Sequence, residues 1–119
     1  FGHIVGDQML KNVTKIAHAE LRSADVIGRY GGEEFVILLP MTNARQAGLL
    51  AERIRADVAA LRLPTEKGDA SATLSIGIVE INHEESTEAV EDVFRRADEA
   101  MYAAKQAGRN RVVIFNSPE

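Results

Sequence analysis

The chain has 119 residues, of which 45% are hydrophobic and 27% are charged, as in one ordinary globular domain. Its 14 basic and 18 acidic residues give a net charge of −4, which argues against broad nucleic-acid binding. No cysteine is present, which excludes disulfides and thiolate metal sites, and no apolar run approaches the roughly 20 residues of a membrane span. We therefore expect a cytoplasmic domain without membrane contact of its own, whose parent protein can be anchored through another domain.

The chain opens with a predicted helix followed by a predicted β-hairpin. Apolar residues recur at helical spacing over residues 6 to about 21. Two extended segments, 25–30 and 35–39, then flank Gly31-Gly32, and glycine permits the positive φ angles of a tight hairpin turn. The unbroken apolar run after the turn predicts a strand that is covered on both faces.

A second helix, a loop and a strand are predicted next. Thr42 or Asn43 is suited to cap a helix whose apolar face extends over residues 44–61. Residues 63–70 contain proline, glycine and charged side chains and predict a surface loop. Alternating side chains over residues 72–79 predict a strand.

The last predicted elements are a helix and a closing strand. The helix opens at Ser86-Thr87 and ends at Gly108, which is typical of a C-terminal cap. Residues 111–115 predict the strand. The core positions predicted for this helix are Val90, Val93, Phe94, Ala97, Met101 and Ala104. Interleaved helices and strands indicate an α/β or α+β domain with helices packed on a central sheet.

Two acidic residues stand directly after the predicted hairpin turn, in the sequence Gly31-Gly32-Glu33-Glu34. A turn needs glycine, but it does not need two carboxylates. One interpretation is a solvated turn whose acids keep the sheet edge soluble. The other is a site where bare backbone lets a bulky ligand approach while the carboxylates hold a hard cation, since Mg²⁺ is typically bound by one or two carboxylates plus substrate phosphates.

Four segments of the chain carry a more specific pattern when they are taken in order. They are Gly2-His3-Ile4-Val5-Gly6-Asp7-Gln8-Met9-Leu10, Gly31-Gly32-Glu33-Glu34-Phe35, Leu74-Ser75-Ile76-Gly77-Ile78, and Asp98-Glu99-Ala100-Met101-Tyr102-Ala103-Ala104-Lys105 with Gly108-Arg109-Asn110 after it. Together they resemble the motifs of the GGDEF domain, the diguanylate cyclase module. The resemblance implies a nucleotidyl cyclase-like, palm-like fold with a central, mostly antiparallel sheet flanked by helices.

The resemblance also implies an activity and a set of catalytic residues. A diguanylate cyclase joins two GTP molecules into cyclic di-GMP and releases pyrophosphate, working as a homodimer with Mg²⁺ or Mn²⁺ as cofactor. Glu33 resembles the metal-binding carboxylate of the turn, and Glu34 resembles its catalytic neighbour, which is implicated in activating the ribose 3′-hydroxyl. Gly31 and Gly32 would let the substrate approach the backbone.

Three further residues resemble substrate-binding positions of the family. Lys105 and Arg109, four positions apart at a helix end, would reach the GTP phosphates. Asp7 would accept hydrogen bonds from the edge of guanine. Each also has a simpler interpretation, because cations are favoured at a helix C-terminus and acids near a helix start. His3 stands in the same motif, and a local structural role explains it equally well.

Arg22-Ser23-Ala24-Asp25, just before the hairpin, resembles the family's inhibitory product site. In such a site arginine recognises guanine and phosphate, while aspartate takes the N–H donors of guanine. Arg53 resembles the secondary arginine of that site. Arginine suits the role because its planar fork pairs bidentately with phosphate or guanine acceptors. Taken alone, Arg-x-x-Asp is equally a charge pair at a helix end.

The chain departs from the family pattern at its start. A full GGDEF domain begins with a strand whose aspartate is the second metal ligand, followed by a Phe-Lys-x-x-Asn-Asp segment that contacts guanine. We therefore interpret residues 1–119 as a GGDEF domain that lacks its N-terminal strand and its first metal- and guanine-binding segment. An upstream sensory or receiver domain is expected in the parent protein.

Three functions remain open at this point. The first is a diguanylate cyclase that binds GTP and is inhibited by its product. The second is a catalytically inactive domain that serves as a cyclic di-GMP or GTP receptor in signalling. A nucleotide-independent interaction domain is the third. Intact Glu33, Glu34, Lys105, Arg109 and Asp7 favour the enzyme.

Overall fold

The computed structural model describes residues 2–29, 34–81 and 90–115. Its elements in chain order are α1 (Gly2–Ala19), β1 (Val26–Arg29), β2 (Phe35–Leu38), α2 (Ala44–Ala60), β3 (Leu63–Thr65), β4 (Gly68–Ala70), β5 (Ser75–Ile78), α3 (Val90–Gln106) and β6 (Arg111–Ile114). This mixture of helices and strands confirms the predicted class. The predicted opening of the last helix at Ser86-Thr87 lies outside the described residues.

The described strands pair as three two-stranded ladders rather than as one continuous sheet. β1 and β2 pair antiparallel, with Ile27 opposite Ile37, which confirms the predicted hairpin. β3 and β4 are also antiparallel, whereas β5 and β6 are parallel, with Gly77 opposite Val113. Two of the three ladders are therefore antiparallel, as expected for a mostly antiparallel fold.

The prediction of a surface loop over residues 63–70 is wrong. Pro64 lies opposite Asp69 in a short hairpin, and proline is tolerated there because these strands have only each other as partners in the described chain. The hairpin is anchored by Ala70, which is 4% exposed and belongs to the main core. The polar composition of this segment predicts a loop, although Ala70 at the end of the three-residue strand β4 is buried.

The main core lies between α1 and α2. Its buried members are Met9, Val13, Ala17, Ile54, Val58 and Ala70. Those on α1 and α2 recur every four positions, so each helix presents one apolar stripe, as predicted. Asn43 caps α2, since its side chain accepts from the Gln46 N–H at 2.8 Å while the Gln46 side chain accepts from the Asn43 N–H. The first helix begins at Gly2 and not at residue 6, so Gly6 lies in the interior of the helix. A glycine is tolerated there although it lowers helix propensity.

The β1–β2 hairpin covers this core with one face. Ile27 and Ile37 pack against the core, whereas Val26 and Leu38, on the other face, are 56% and 54% exposed. The prediction that the second strand is covered on both faces is therefore wrong for the described structure. The apolar run therefore reflects the strand propensity of its residues and does not indicate that both faces of the strand are buried.

α3 lies directly on β5, and Gly77 makes this approach possible. A Cβ atom at Gly77 would collide with the backbone of Ala97 and Met101 and would come within 2.9 Å of the Ala100 carbonyl carbon. The helix buries Ala100 and Ala104, and Ala104 is a predicted core position, whereas Val90 is 69% exposed, so the prediction of Val90 as core is wrong. Val90 lies within about 40° of Ala104 around the helix, so it shares the inner face but stands at the first residue of α3.

Candidate functional site

A cleft of about 510 Å³ lies between α1 and the β1–β2 hairpin. The described residues that line it are Asp7, Leu10, Lys11, Thr14, Lys15, Arg29 and Phe35. Asp7 is exposed on the second turn of α1, and Phe35 is the first residue of β2. His3 is exposed on α1 and does not line the cleft. The fold thus brings the predicted guanine-binding acid beside the end of the hairpin.

The hairpin turn carries the predicted catalytic residues. Arg29 lies opposite Phe35 in the ladder, so the turn follows directly from the strand ends that line the cleft. Glu34 is half-buried and stands immediately before Phe35. Gly31, Gly32 and Glu33 lie outside the described residues.

The predicted metal site can be tested only on part of its ligand set. Over residues 2–29, 34–81 and 90–115, no three Asp, Glu or His side chains are grouped so that they could hold a metal ion. Glu34 is the one carboxylate of the turn in that set. The described part of the chain thus contributes Glu34 to the predicted set, and a metal site at Glu33 stays a prediction.

Lys105 and Arg109 flank the C-terminal end of α3. The Gly108 N–H donates to the Lys105 carbonyl at 3.4 Å, and the Arg109 N–H donates to the Ala104 carbonyl at 2.9 Å. These two bonds form a Schellman motif around Gly108, whose φ is 125°. The predicted cap at Gly108 is confirmed, and it folds Arg109 back beside the last turn of the helix.

The two cations stand apart from the Asp7 cleft. Both are exposed, and neither lines that cleft. The sequence-based interpretation assigns Asp7, Lys105 and Arg109 to one GTP molecule. The structure places Asp7 on α1 and the cations at the end of α3, and it shows no direct contact that joins them.

Arg22 and Asp25 form a closed pair between α1 and β1. The Arg22 fork donates to both carboxylate oxygens, through Nε to Oδ2 at 3.2 Å and through Nη2 to Oδ1 at 2.9 Å. The backbone N–H of Arg22 also donates to Oδ2 at 2.8 Å. These hydrogen bonds and the charge of Arg22 lower the pKa of Asp25, and the hydrogen bond and charge of Asp25 raise the pKa of Arg22.

Two further acceptors hold the Arg22 guanidinium from the segment before α2. Arg22 Nη2 donates to the Pro40 carbonyl at 2.9 Å and to Thr42 Oγ1 at 2.8 Å. Arg53, on α2, instead donates through Nε to Glu20 Oε1 at 3.2 Å. Because Glu20 precedes Arg22 by two positions, Arg53 lies at the same end of α1 as Arg22 and Asp25.

The sequence-based interpretation missed several residues around these sites. Lys11 and Lys15 share the cleft with Asp7, and the signal that could have revealed them is their spacing of four and eight positions from Asp7, which puts all three on one helix face. The sequence pattern indicates a role for Thr42 only as a helix cap. Its contact with Arg22 spans 20 positions and has no local sequence signal.

Residues 1–111 match the family described as diguanylate cyclase, GGDEF domain. Diguanylate cyclase DgcP of Pseudomonas aeruginosa is 46% identical over 114 residues, which are 96% of this chain and 16% of the relative. Diguanylate cyclase A of Treponema denticola is 40% identical over 96% of this chain and 30% of its own length. The chain thus spans less than a third of either relative.

Solved structures agree with this match. The GGDEF domain of DgcB from Caulobacter crescentus, in complex with cyclic di-GMP, has a TM-score of 0.88 at 33% identity and is matched over 98% of this chain and 68% of its own. The active GGEEF domain of a diguanylate cyclase from Vibrio cholerae has a TM-score of 0.85 at 35% identity, over 99% of this chain and 73% of its own.

Proposed function

The chain belongs to the family of diguanylate cyclase GGDEF domains, and we propose that it forms most of a domain that condenses two GTP molecules into cyclic di-GMP and pyrophosphate. Residues 1–119 would be that domain without its first strand. The proposal depends on the residues of the turn and the cleft, because a fold by itself does not determine chemistry.

One observation carries the proposal. The Gly-Gly-Glu-Glu-Phe sequence at 31–35 falls at the turn of the β1–β2 hairpin, whose strand ends line the same cleft as Asp7. The Vibrio cholerae neighbour is described as an active GGEEF domain, and this chain has the same five residues. A solvated turn would not require this combination.

In the proposed reaction, Asp7 accepts hydrogen bonds from guanine while the bare backbone of Gly31 and Gly32 admits the nucleotide. Glu34 activates the ribose 3′-hydroxyl of one GTP. This hydroxyl attacks the α-phosphate of the second GTP, and pyrophosphate leaves. A divalent cation, Mg²⁺ or Mn²⁺, would offset phosphate charge when it is bound, with Glu33 as its ligand from this chain. The protein's main work is positioning and electrostatic stabilisation.

Lys105 and Arg109 are proposed to bind the phosphates. The Schellman motif at Gly108 supports this role, because it places both exposed cations next to each other at one helix end. A lysine in the last turn of a helix and an arginine just after it are suited to a polyphosphate, and an arginine fork can engage two phosphate oxygens at once. Their separation from the Asp7 cleft is consistent with a ligand whose base and phosphates are bound at different points.

Arg22, Asp25 and Arg53 are proposed as the inhibitory product site. The support is their clustering at one end of α1, together with a Caulobacter crescentus neighbour that was solved in complex with cyclic di-GMP. A homodimer is proposed because the reaction joins two GTP molecules and each domain would bind one of them. An upstream sensory or receiver domain is proposed because the relatives are several times longer than this chain.

A cyclic di-GMP receptor is the second candidate, and the ordered Arg22–Asp25 pair supports it equally well. The two functions differ in turnover. A longer protein that contains this chain and a complete first strand is incubated with GTP and Mg²⁺, and cyclic di-GMP and pyrophosphate are measured. An enzyme yields both products, whereas a receptor yields neither and still binds added cyclic di-GMP.

A further inference from the structure

Three consecutive residues at the end of α3 have positive φ angles: Gly108 at 125°, Arg109 at 63° and Asn110 at 47°. This left-handed backbone is easy for glycine and acceptable for asparagine, but it is unfavourable for arginine. Such a conformation persists only where surrounding contacts hold it. Arg109 is therefore kept in its position by its neighbours and not by its own preference.

Local hydrogen bonds fix both sides of Arg109. Its N–H donates to the Ala104 carbonyl at 2.9 Å, and its carbonyl accepts from Arg111 Nε at 3.1 Å. Both partners are within five positions in sequence, so they shape the loop but travel with it. They hold the loop to α3 and to the start of β6, where Arg111 pairs with Ser75 of β5.

A contact from α2 adds a side-chain connection to the loop itself. Arg55 Nη1 donates to Asn110 Oδ1 at 2.6 Å, across 55 positions in sequence. The guanidinium is itself held by Glu52, whose carboxylate accepts from Arg55 Nε at 2.9 and 3.0 Å. The Arg55 side chain is only 18% exposed, whereas that of Glu52 is 54% exposed. Arg55 is thus a largely buried arginine whose guanidinium donates a hydrogen bond to a surface loop.

We propose that Arg55 is a positioning residue for phosphate binding: by holding Asn110 against α2, it fixes the left-handed loop that presents Arg109 beside Lys105. The inference rests on the proposed role of these two cations as phosphate ligands. It assigns Arg55, which is two positions from Arg53 on the same helix, to the substrate side of the domain instead of the product side. Arg55 itself does not touch the substrate.

Two substitutions separate the contact from the loop backbone. Arg55→Met removes the fork and keeps the long apolar stem, whereas Asn110→Gly removes the acceptor and retains a residue that adopts positive φ freely. Arg62→Met is the matched control, because Arg62 donates only to nearby backbone carbonyls, those of Ala59 and Leu61, in the described structure.

The first measurement is amide hydrogen exchange in the 119-residue chain. Both substitutions should raise exchange of the Arg109 amide about 10-fold while the amides of core residues in α2 keep their protection. Arg62→Met should leave Arg109 unchanged. Unchanged exchange of Arg109 in both test variants would overturn the anchoring role of Arg55.

The second measurement is calorimetric titration with GTP and, separately, with cyclic di-GMP. Each substitution should weaken GTP binding about 10-fold, and the double variant should be no weaker than the weaker single variant, because both changes break one contact. Arg55→Lys should not restore affinity, since lysine lacks the fork. Binding of cyclic di-GMP should be unchanged in every variant.

Each other outcome has a distinct meaning. Equal weakening of both ligands by Arg55→Met would show a purely structural role and overturn the inference. Faster Arg109 exchange with unchanged GTP affinity would show an anchor that does not position a phosphate ligand, and it would overturn the inference as well. If the unsubstituted chain binds cyclic di-GMP and Lys105→Ala leaves GTP affinity unchanged, the proposed phosphate site itself is refuted, and the inference with it.

Discussion

Arg22 covers the carboxylate of Asp25 so completely that the Asp25 side chain is 1% exposed, while Arg22 itself remains 57% exposed. The aspartate that is proposed to read guanine is therefore already occupied by its own arginine, and the arginine faces solvent. Binding of cyclic di-GMP at this site requires either that the pair opens or that the ligand first engages the exposed guanidinium. Both routes make Arg22 the point of first contact.

Substitution of Arg22 tests the product site. Arg22→Ala removes a cation that would pair with phosphate and guanine acceptors, so cyclic di-GMP affinity should fall by about 10- to 100-fold. Calorimetry with Arg62→Ala as the matched control measures the effect. Unchanged affinity in Arg22→Ala would remove Arg22 from the site.

Thr42 should contribute to the same site without touching the ligand. Thr42→Val keeps the shape of the side chain but removes the hydroxyl that accepts from Arg22 Nη2 at 2.8 Å. Because the Pro40 carbonyl and Asp25 still hold the guanidinium and Thr42 acts on the ligand only through Arg22, cyclic di-GMP affinity should fall only about 2- to 10-fold. A loss as large as that of Arg22→Ala would mean that Thr42 does more than orient the arginine.

The Arg22–Asp25 pair also predicts a pH dependence of stability. The pKa of Asp25 is lowered in the folded chain by the Arg22 hydrogen bonds, so the pair stabilises the fold above the ordinary aspartate pKa of about 3.9. That contribution is lost as the pH falls below about 4 through the lowered folded pKa. The difference in unfolding midpoint between the unsubstituted chain and Asp25→Asn should therefore be constant from about pH 5 to about pH 8 and shrink below about pH 4. A difference that changes most near neutral pH would contradict this assignment.

Gly77 provides a prediction about the fold. Gly77→Ala should lower the free energy of unfolding by about 3 kcal/mol, at the upper end of the usual range for overpacking, because the obstructing atoms are backbone atoms of α3. Gly28→Ala is the matched control, since Gly28 also lies in a strand but has no heavy atom within 4 Å of an added Cβ. It should change the free energy by less than about 1 kcal/mol. Equal effects in urea unfolding would show that α3 does not lie on β5 as described.

The sequence predicted the elements whose signals are local. The hairpin around Gly31-Gly32, the cap at Asn43 and the end of α3 at Gly108 follow from turn and cap chemistry within a few residues. Helical spacing predicts the inner face of α3, where Ala104 is buried, but it does not predict the close approach at Gly77 or the exposure of Val90 at the start of the helix.

The candidate site shows the same difference between contacts that are local in sequence and contacts that depend on packing. The Arg22–Asp25 pair is evident in the sequence because its members are three positions apart. Thr42 joins Arg22 across 20 positions and Asn110 joins Arg55 across 55, so these contacts depend on how the helices and loops pack. Residues that position the candidate site residues were therefore missed, although those candidates themselves were identified.

Glu33 should be essential for turnover and nearly irrelevant to stability. In a longer protein with a complete first strand, Glu33→Gln should abolish cyclic di-GMP synthesis, because an amide is a poor Mg²⁺ ligand compared with a carboxylate. Glu66→Gln is the control, since Glu66 is an exposed acid at the turn of the β3–β4 hairpin. A drop in melting temperature of several degrees, with activity retained, would indicate a structural role for Glu33.

The most direct measurement compares the 119-residue chain with that longer protein, side by side at high protein concentration, for pyrophosphate release and cyclic di-GMP formation from GTP and Mg²⁺. The longer protein should form cyclic di-GMP with two pyrophosphates released per product, and the short chain should form none, because Glu33 and Glu34 are expected to be only part of the metal-binding set. Robust synthesis by the short chain would contradict the placement of the remaining ligands. If neither protein forms cyclic di-GMP and both still bind added cyclic di-GMP, the result would contradict the enzyme and favour the receptor.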